Sequence, residues 1–317
     1  MPRRLALRLI QALVVLIVLS FVIYGLIGLM PGDPIDLLAA GSPTMTSEDV
    51  ARLKAVYGVG TPLVPRYLHW LGAALSGDLG YSRLTGLTVW RTLGGPLGHT
   101  MALMITGLAL AQLFALPLGL AAALRERRAL DHGLNLAAFA CLSLPTFWVS
   151  LILIMGFAVG LRWLPASGVE DPGGGGLGDR IVHLVLPVAA LAIASFGHYL
   201  RYMRAAAIES LRADWVRTAR AKGASWTRVA FGHVLRNAMA PVVTLLGLDL
   251  GTLFSGVVVT ETVFAYPGMG KLIYDAVINN DYNLALAALM LATTTTLIGS
   301  ILADLAYAAL DPRVRFQ

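Results

Sequence analysis

The sequence predicts an all-α integral membrane protein with six transmembrane helices and both termini cytoplasmic. Three observations carry this prediction. Of the 317 residues, 57% are hydrophobic and only 13% charged, against about 25% charged in soluble domains, and the mean hydropathy is +0.73. Six apolar runs approach or exceed the roughly 20 residues a membrane helix needs. The Lys and Arg residues gather in alternate intervening segments. With the N-terminus inside, the cytoplasmic segments hold Arg3, Arg4 and Arg8, then Arg125, Arg127 and Arg128, eight cations between Arg201 and Arg236, and finally Arg313 and Arg315, sixteen of the twenty-four. The opposite orientation would reverse the positive-inside rule.

The first span runs from about Leu9 to Met30, between Arg8 and the breaker Pro31-Gly-Asp-Pro34. It exceeds the 7–15 apolar residues of a signal-peptide core and is read as a retained span. The second covers about Thr100 to Leu124, closed by Arg125-Glu-Arg-Arg128, and the third about Gly133 to Leu161, long enough to tilt or to include an interfacial piece. The fourth lies between Arg180 and Arg201. The fifth starts near Asn237 and loses its apolar character towards Glu261, and the sixth runs from about Tyr282 to near Tyr307. The whole is one transmembrane domain, 1–317.

The first external loop, 31–99, carries helix signals of its own. Thr46 caps a helix with Asp49 three residues on, Val50, Leu53 and Val56 share a face, and Gly58 ends it. A second helix is signalled by Thr61 as N-cap, Pro62 at the first helical position and Gly77 after the last turn. Its apolar face holds Tyr67, Leu68, Trp70, Leu71, Ala74 and Leu75, and suits either the membrane surface or the ends of the spans. Asp171-Pro-Gly-Gly-Gly-Gly176 reads as a flexible connector without chemistry.

Enzyme chemistry finds no support in the spacing. Tyr266-Pro-Gly-Met-Gly-Lys271-Leu272 lacks a phosphate-binding loop's first glycine, where Ala265 stands, and its Ser or Thr, where Leu272 stands. The six histidines form no H-E-x-x-H or His/Cys pair, so no metal site is expected. No G-x-S-x-G elbow exists. The single cysteine, Cys141, has no disulfide partner in the chain. The net charge of +6 belongs to the orientation signal, not to nucleic-acid binding. Three carboxylates lie in or beside apolar runs. Asp249 either lines a pathway or makes an interhelical hydrogen bond, whereas Glu261 and Asp304, nearer the span ends, suit solvated or capping roles.

The densest feature is cytoplasmic, within 201–236. Helix formers run from Trp215 to Lys222, Gly223 permits the left-handed residue that ends a helix, and Ser225 can cap a new one. On this second helix Trp226, Val229, Ala230 and Val234 cover one side, while Arg228, Gly232 and Arg236 lie elsewhere. Anionic lipid headgroups would attract scattered Lys and Arg, but they do not require an ordered helix–glycine–helix. A docking element for a cytoplasmic partner does.

These residues carry a family likeness. Arg217-Thr-Ala-Arg-Ala-Lys-Gly223, with His233-Val-Leu-Arg-Asn-Ala238, resembles the EAA loop of permease subunits in bacterial ABC importers, and more narrowly the dipeptide/oligopeptide group. The likeness continues in Pro31-Gly-Asp-Pro34, Gly77-Asp-Leu-Gly80, Leu144-Pro-Thr-Phe-Trp148, Thr260-Glu-Thr-Val-Phe264 and Asp311-Pro-Arg313. The wider family's loop opens Glu-Ala-Ala, six residues before its Gly. Here Arg217-Thr218-Ala219 stands instead, and His233-Val-Leu235-Arg236 replaces Ile-x-Leu-Pro.

The resemblance implies a multi-pass inner-membrane permease of B type, with no catalytic residue and no bound cofactor. It implies a heterodimer with a second permease subunit, two cytoplasmic ATPase subunits that carry ATP and Mg²⁺, and an extracytoplasmic binding protein. ATPase coupling then falls to Asp214, Arg217, Thr218, Ala219, Arg220, Ala221, Lys222, Gly223, Ala224, Trp226, His233, Arg236 and Asn237, with Asp249 a candidate for the path. The competing reading, an ion- or proton-coupled secondary transporter, predicts internal pseudo-repeats. No clear repeat is present.

Overall fold

The computed structural model describes residues 2–29, 39, 46–56, 61–251 and 257–310. The helices in chain order are α1 (Pro2–Gly28), α2 (Ser47–Val56), α3 (Leu63–Leu75), α4 (Val89–Leu124), α5 (Ala129–Ser143), α6 (Thr146–Leu153), α7 (Gly176–Leu211), α8 (Asp214–Ala221), α9 (Leu235–Gly251), α10 (Val258–Val263), α11 (Met269–Ile278) and α12 (Tyr282–Leu310). Two π-helical segments, Ile154–Gly160 and Arg228–Val234, extend α6 and lead into α9. Among the described residues the only β pairing is an isolated bridge between Tyr81 and Thr88. Five helical stretches are long and apolar enough to cross a membrane, and α5 with α6 makes a sixth candidate bent by 99°.

The bend has a local cause. Proline disfavours helical geometry in the residue before it, and Leu144, before Pro145, is extended at φ −87° and ψ 123°. The third span is thus two helices, in keeping with the interfacial piece its length suggested. Helix α4 begins at Val89, eleven residues before the expected Thr100. The helix continues through Gly94-Gly-Pro-Leu-Gly98, whose glycines and proline disfavour helix. At 36 residues each, α4 and α7 are about 54 Å long by the helical rise, well beyond a hydrocarbon core of about 30 Å.

The chain divides into two compact units, residues 1–98 with 268–295, and residues 99–267 with 296–317. In the first, α3 packs on α1. Ser20 Oγ lies 2.6 Å from the Tyr67 hydroxyl, Tyr67 meets Phe21 edge-on at 5.1 Å, and Tyr24 faces Trp70 at 5.6 Å. Leu68 and Leu75 stay exposed, so of the two roles open for this face, packing on a span is the one its aromatic side takes. Pro62, not Thr61, is the residue that precedes α3. Its end follows the glycine signal: Gly77 has φ +89°, with Gly77 N–H bonded to Ala74 O and Asp78 N–H to Ala73 O, a Schellman closure. Helix α2 opens on the expected reciprocal cap, Thr46 N–H to Asp49 and Asp49 N–H to Thr46 Oγ1. Gly58 lies outside the described residues.

The same unit holds Asp281, almost fully buried. One carboxylate oxygen caps α12 through Leu284 N–H at 3.2 Å; the other accepts from Ser82 Oγ at 2.6 Å and Leu84 N–H at 3.0 Å. Three donors offset the desolvation of one charge.

In the second unit α7 packs against α5, α6 and α9. Small residues set the approach, as is common between membrane helices. A Cβ on Gly197 would sit 2.5 Å from the Ala138 carbonyl oxygen, and one on Gly119 would sit 2.8 Å from that of Leu200. Glu261 corrects the sequence reading. Instead of a solvated carboxylate it is fully buried and accepts a 2.5 Å hydrogen bond from Thr100 Oγ1. The reason is that α10, only six residues long, packs against α6 and α7 and so turns its acid into protein. The Asp304 side chain lies outside the described residues.

Candidate functional site

The site is built on the end of α8. Ala213, in extended conformation, precedes it, and Thr218 Oγ1 bonds back to Asp214 O. Gly223 adopts φ +83°, its N–H reaches Arg220 O at 2.9 Å, and Ala224 N–H reaches Ala219 O at 3.1 Å. That pair of bonds is a Schellman motif, and it demands a residue at ease with positive φ. Ser225 then caps the next helix as expected: its carbonyl accepts from Val229 N–H at 3.0 Å and its Oγ lies 3.4 Å from Arg228 N.

This second helix is not short. It passes from Trp226 through the π-helical Arg228–Val234 directly into α9, so the fifth span begins before Asn237 and is continuous with the loop helix. The i→i+5 bond from Leu235 N–H to Ala230 O marks the wider winding. Such segments recur at functional sites.

Burial splits the apolar side proposed for this helix. Val229, Ala230 and Val234 are buried, whereas Trp226 is 54% exposed. Its ring lies under the Arg220 guanidinium at 4.7 Å, a cation–π contact that closes the glycine turn from the outside. Trp215 stands 6.2 Å from the His233 ring across the turn. Between them opens a cleft of about 360 Å³, lined from α8 by Trp215, Thr218, Ala219 and Lys222, and from the turn and next helix by Gly223, Ala224, Arg228 and His233.

Alanine, glycine and aromatic side chains line the cleft together with the exposed cations Lys222 and Arg228. No carboxylate is among its lining residues. Its chemistry is that of a socket for an apolar or aromatic knob with acidic neighbours. Of the residues singled out in the sequence, Thr218, Ala219, Lys222, Gly223, Ala224 and His233 line it. Asp214 and Arg217 pair with each other at 3.3 Å on the exposed side, a contact of little energetic weight. Ala221 ends α8, and Arg236 and Asn237 lie beyond the cleft on α9, with Asn237 bonded to His233 O. Trp215 and Arg228 were missed as lining residues, although Trp215 lies three and four residues before Thr218 and Ala219 and therefore on their face.

Asp249, some way along α9, accepts a short hydrogen bond from the Tyr199 hydroxyl of α7. The interhelical bond is thus present.

Long apolar helices whose large exposed side chains are hydrophobic define a polytopic membrane protein. Comparison with known proteins makes this specific. Residues 115–316 match the binding-protein-dependent transport system inner membrane component family, and residues 1–104 match the N-terminal part of such components. The chain belongs to this family and is a multi-pass plasma-membrane permease of the ABC importer type. It is similar to the oligopeptide transport system permease protein AppB of Bacillus subtilis (strain 168), 37% identical over 94% of both chains. The di/tripeptide transport system permease protein DppB of Pseudomonas aeruginosa (strain UCBPP-PA14) is 37% identical over 93% of both, and the dipeptide transport system permease protein DppB of Escherichia coli (strain K12) 31% over 94% of both. A secondary transporter acting alone is not favoured.

Proposed function

We propose that this chain forms half of the translocation path of an ATP-driven importer for di- or oligopeptides, and that the cleft at Gly223 is where a cytoplasmic ATPase subunit takes hold. The substrate class rests on the relatives' names, the docking role on the cleft itself: an ordered, cation-lined socket on a loop that the charge distribution places inside. The chain acts as one permease domain, with 201–236 as its coupling loop and a second permease subunit completing the path. ATP and Mg²⁺ belong to two ATPase subunits, which is why no nucleotide motif is needed here, and an extracytoplasmic binding protein delivers substrate. Asp249 lies within α9, the helix that continues from the cleft, and is the residue proposed to face the path.

The deciding observation is the Schellman turn at Gly223. Proline fixes φ near −65° and removes the N–H, so Gly223→Pro contradicts both the +83° backbone and the bond to Arg220 O. In vesicles containing the assembled importer, this variant is expected to insert normally, to lose uptake, and to leave ATP hydrolysis unresponsive to the loaded binding protein. Unchanged uptake would refute the docking assignment.

A further inference from the structure

Arg180 and Arg201 on α7 bracket twenty residues that include no Lys, Arg, Asp or Glu. The helix between them is about 30 Å long, the thickness of one hydrocarbon core. Arg180, at the external end, is engaged by Glu170 at 2.9 Å. Arg201 therefore stands where hydrocarbon gives way to headgroups on the cytoplasmic side. The next residue, Tyr202, is exposed, as interfacial aromatic residues are at that level.

Arg201 is itself exposed, and its guanidinium lies 4.5 Å from the centre of the Phe139 ring on α5. Stacking covers the face of a guanidinium and leaves its N–H edge to donate. Among the described residues nothing accepts from that edge. The acids that flank the α4–α5 turn are already engaged, Asp131 by Arg204 and Glu126 by Arg212. Arg125, Arg127 and Arg128 in the same turn are exposed, with no carboxylate partner among the described residues. Positive charge at this corner is thus uncompensated within the chain. The surface beside Arg201 is apolar: Phe139 is 51% exposed and Leu136, three residues away and on the same side of α5, is 72% exposed.

We propose that Arg201 and Phe139 form a binding site for an anionic phospholipid of the cytoplasmic leaflet. Arg201 takes the lipid phosphate through the two-pronged geometry that guanidinium and phosphate share, and the acyl chains lie along Leu136 and Phe139. The uncompensated arginines of the α4–α5 turn favour a headgroup of net negative charge over a zwitterionic one. A lipid seated here touches both α5 and α7 one turn from the Arg204–Asp131 pair, so it stabilises the packing of that helix pair.

The test uses the full-length chain, delipidated in mild detergent and then given dioleoylphosphatidylglycerol or dioleoylphosphatidylcholine, with retained lipid counted by native mass spectrometry. Phosphatidylglycerol is expected to be held at least tenfold more tightly than phosphatidylcholine and to raise the unfolding temperature. Arg201→Gln should abolish that preference. Phe139→Leu, which keeps the apolar surface but removes the ring face, should weaken it less. Arg128→Gln removes the same charge from the exposed turn and should leave most of the preference intact. Equal retention of the two lipids, equal losses in the Arg201 and Arg128 variants, or displacement of the lipid by inorganic phosphate would overturn the assignment. So would an Arg201→Gln variant that retains the lipid but no longer captures a second permease subunit, because the face would then belong to that subunit.

Discussion

Arg204 on α7 grips Asp131 at the start of α5 through two bonds, Nε to Oδ1 at 2.5 Å and Nη2 to Oδ2 at 2.7 Å. Asn135 and the N–H of Arg127 donate to the same carboxylate at 2.7 and 2.9 Å, and Arg127 holds a left-handed φ of 63° to do so. Asp131 is 99% buried, so its charge depends on these donors for compensation. Asp131→Ala leaves a part-buried guanidinium without its partner and should cost about 3 kcal/mol. Arg204→Lys loses the two-pronged geometry and should cost less. Thermal unfolding in detergent, followed by tryptophan fluorescence, checks the order.

Gly197 is a point of close backbone approach between α5 and α7. With 2.5 Å between a new Cβ and the Ala138 carbonyl oxygen, Gly197→Ala must push two backbones apart, an overpacking cost of about 1–3 kcal/mol. Gly133→Ala, where the added carbon meets nothing within 4 Å, is the matched control. Size-exclusion profiles of the two variants should differ, with the Gly197 variant giving less monodisperse protein.

The features legible in the sequence were those written by neighbours. Gly77 and Gly223 announced their Schellman turns, and Thr46 and Asp49 their reciprocal cap, because each effect acts within a few residues; the bend at Pro145 is equally local but was not read from the sequence. Asp131 and Arg204, 73 residues apart, looked like two ordinary cytoplasmic charges; only folding brings them together. Glu261 was misread for a related reason. Its segment has lost apolar character, which normally means solvent, yet α10 is held inside by α6 and α7. The cleft was legible in outline through Gly223 and its flanking helices. Its second wall was not, since the continuity of Trp226 with α9 depends on π-helical winding that no local signal announces.

Gly223→Ala should be far milder than the proline variant. Open space surrounds the site, so the added methyl meets only its own backbone, at a cost of about 1–2 kcal/mol for a left-handed residue. Uptake should persist at reduced protein stability. Arg228→Glu, which reverses a lining charge without touching the turn, should instead weaken capture of the ATPase subunits at least tenfold. Co-purification at low and high salt measures this, and the difference from the parent should shrink as salt screens the cleft.

Hydrogen bonds from Thr46, side chain first and backbone second, hold the Asp49 carboxyl below its ordinary range. A depressed acid stabilises the fold above its unfolded pKa and loses that contribution as pH falls through the depressed folded value. Helix α2 should therefore stay capped at neutral pH and begin to fray only in acid below the usual aspartate range. Carbon-13 NMR of labelled Asp49, with amide exchange of α2, should show the two transitions coincide, and Thr46→Ala should move the Asp49 titration upward.

The uninterrupted passage from Ser225 into α9 has a mechanical consequence. Twenty residues of helix, Arg228–Gly247, span about 30 Å, so the cleft and the body of the fifth span are two ends of one continuous helix. Its winding changes at Arg228–Val234 and it loses a backbone donor at Pro241. Displacement of the cleft would therefore reach the span as tilt of the helix together with bending at these two places and at the Gly223 turn.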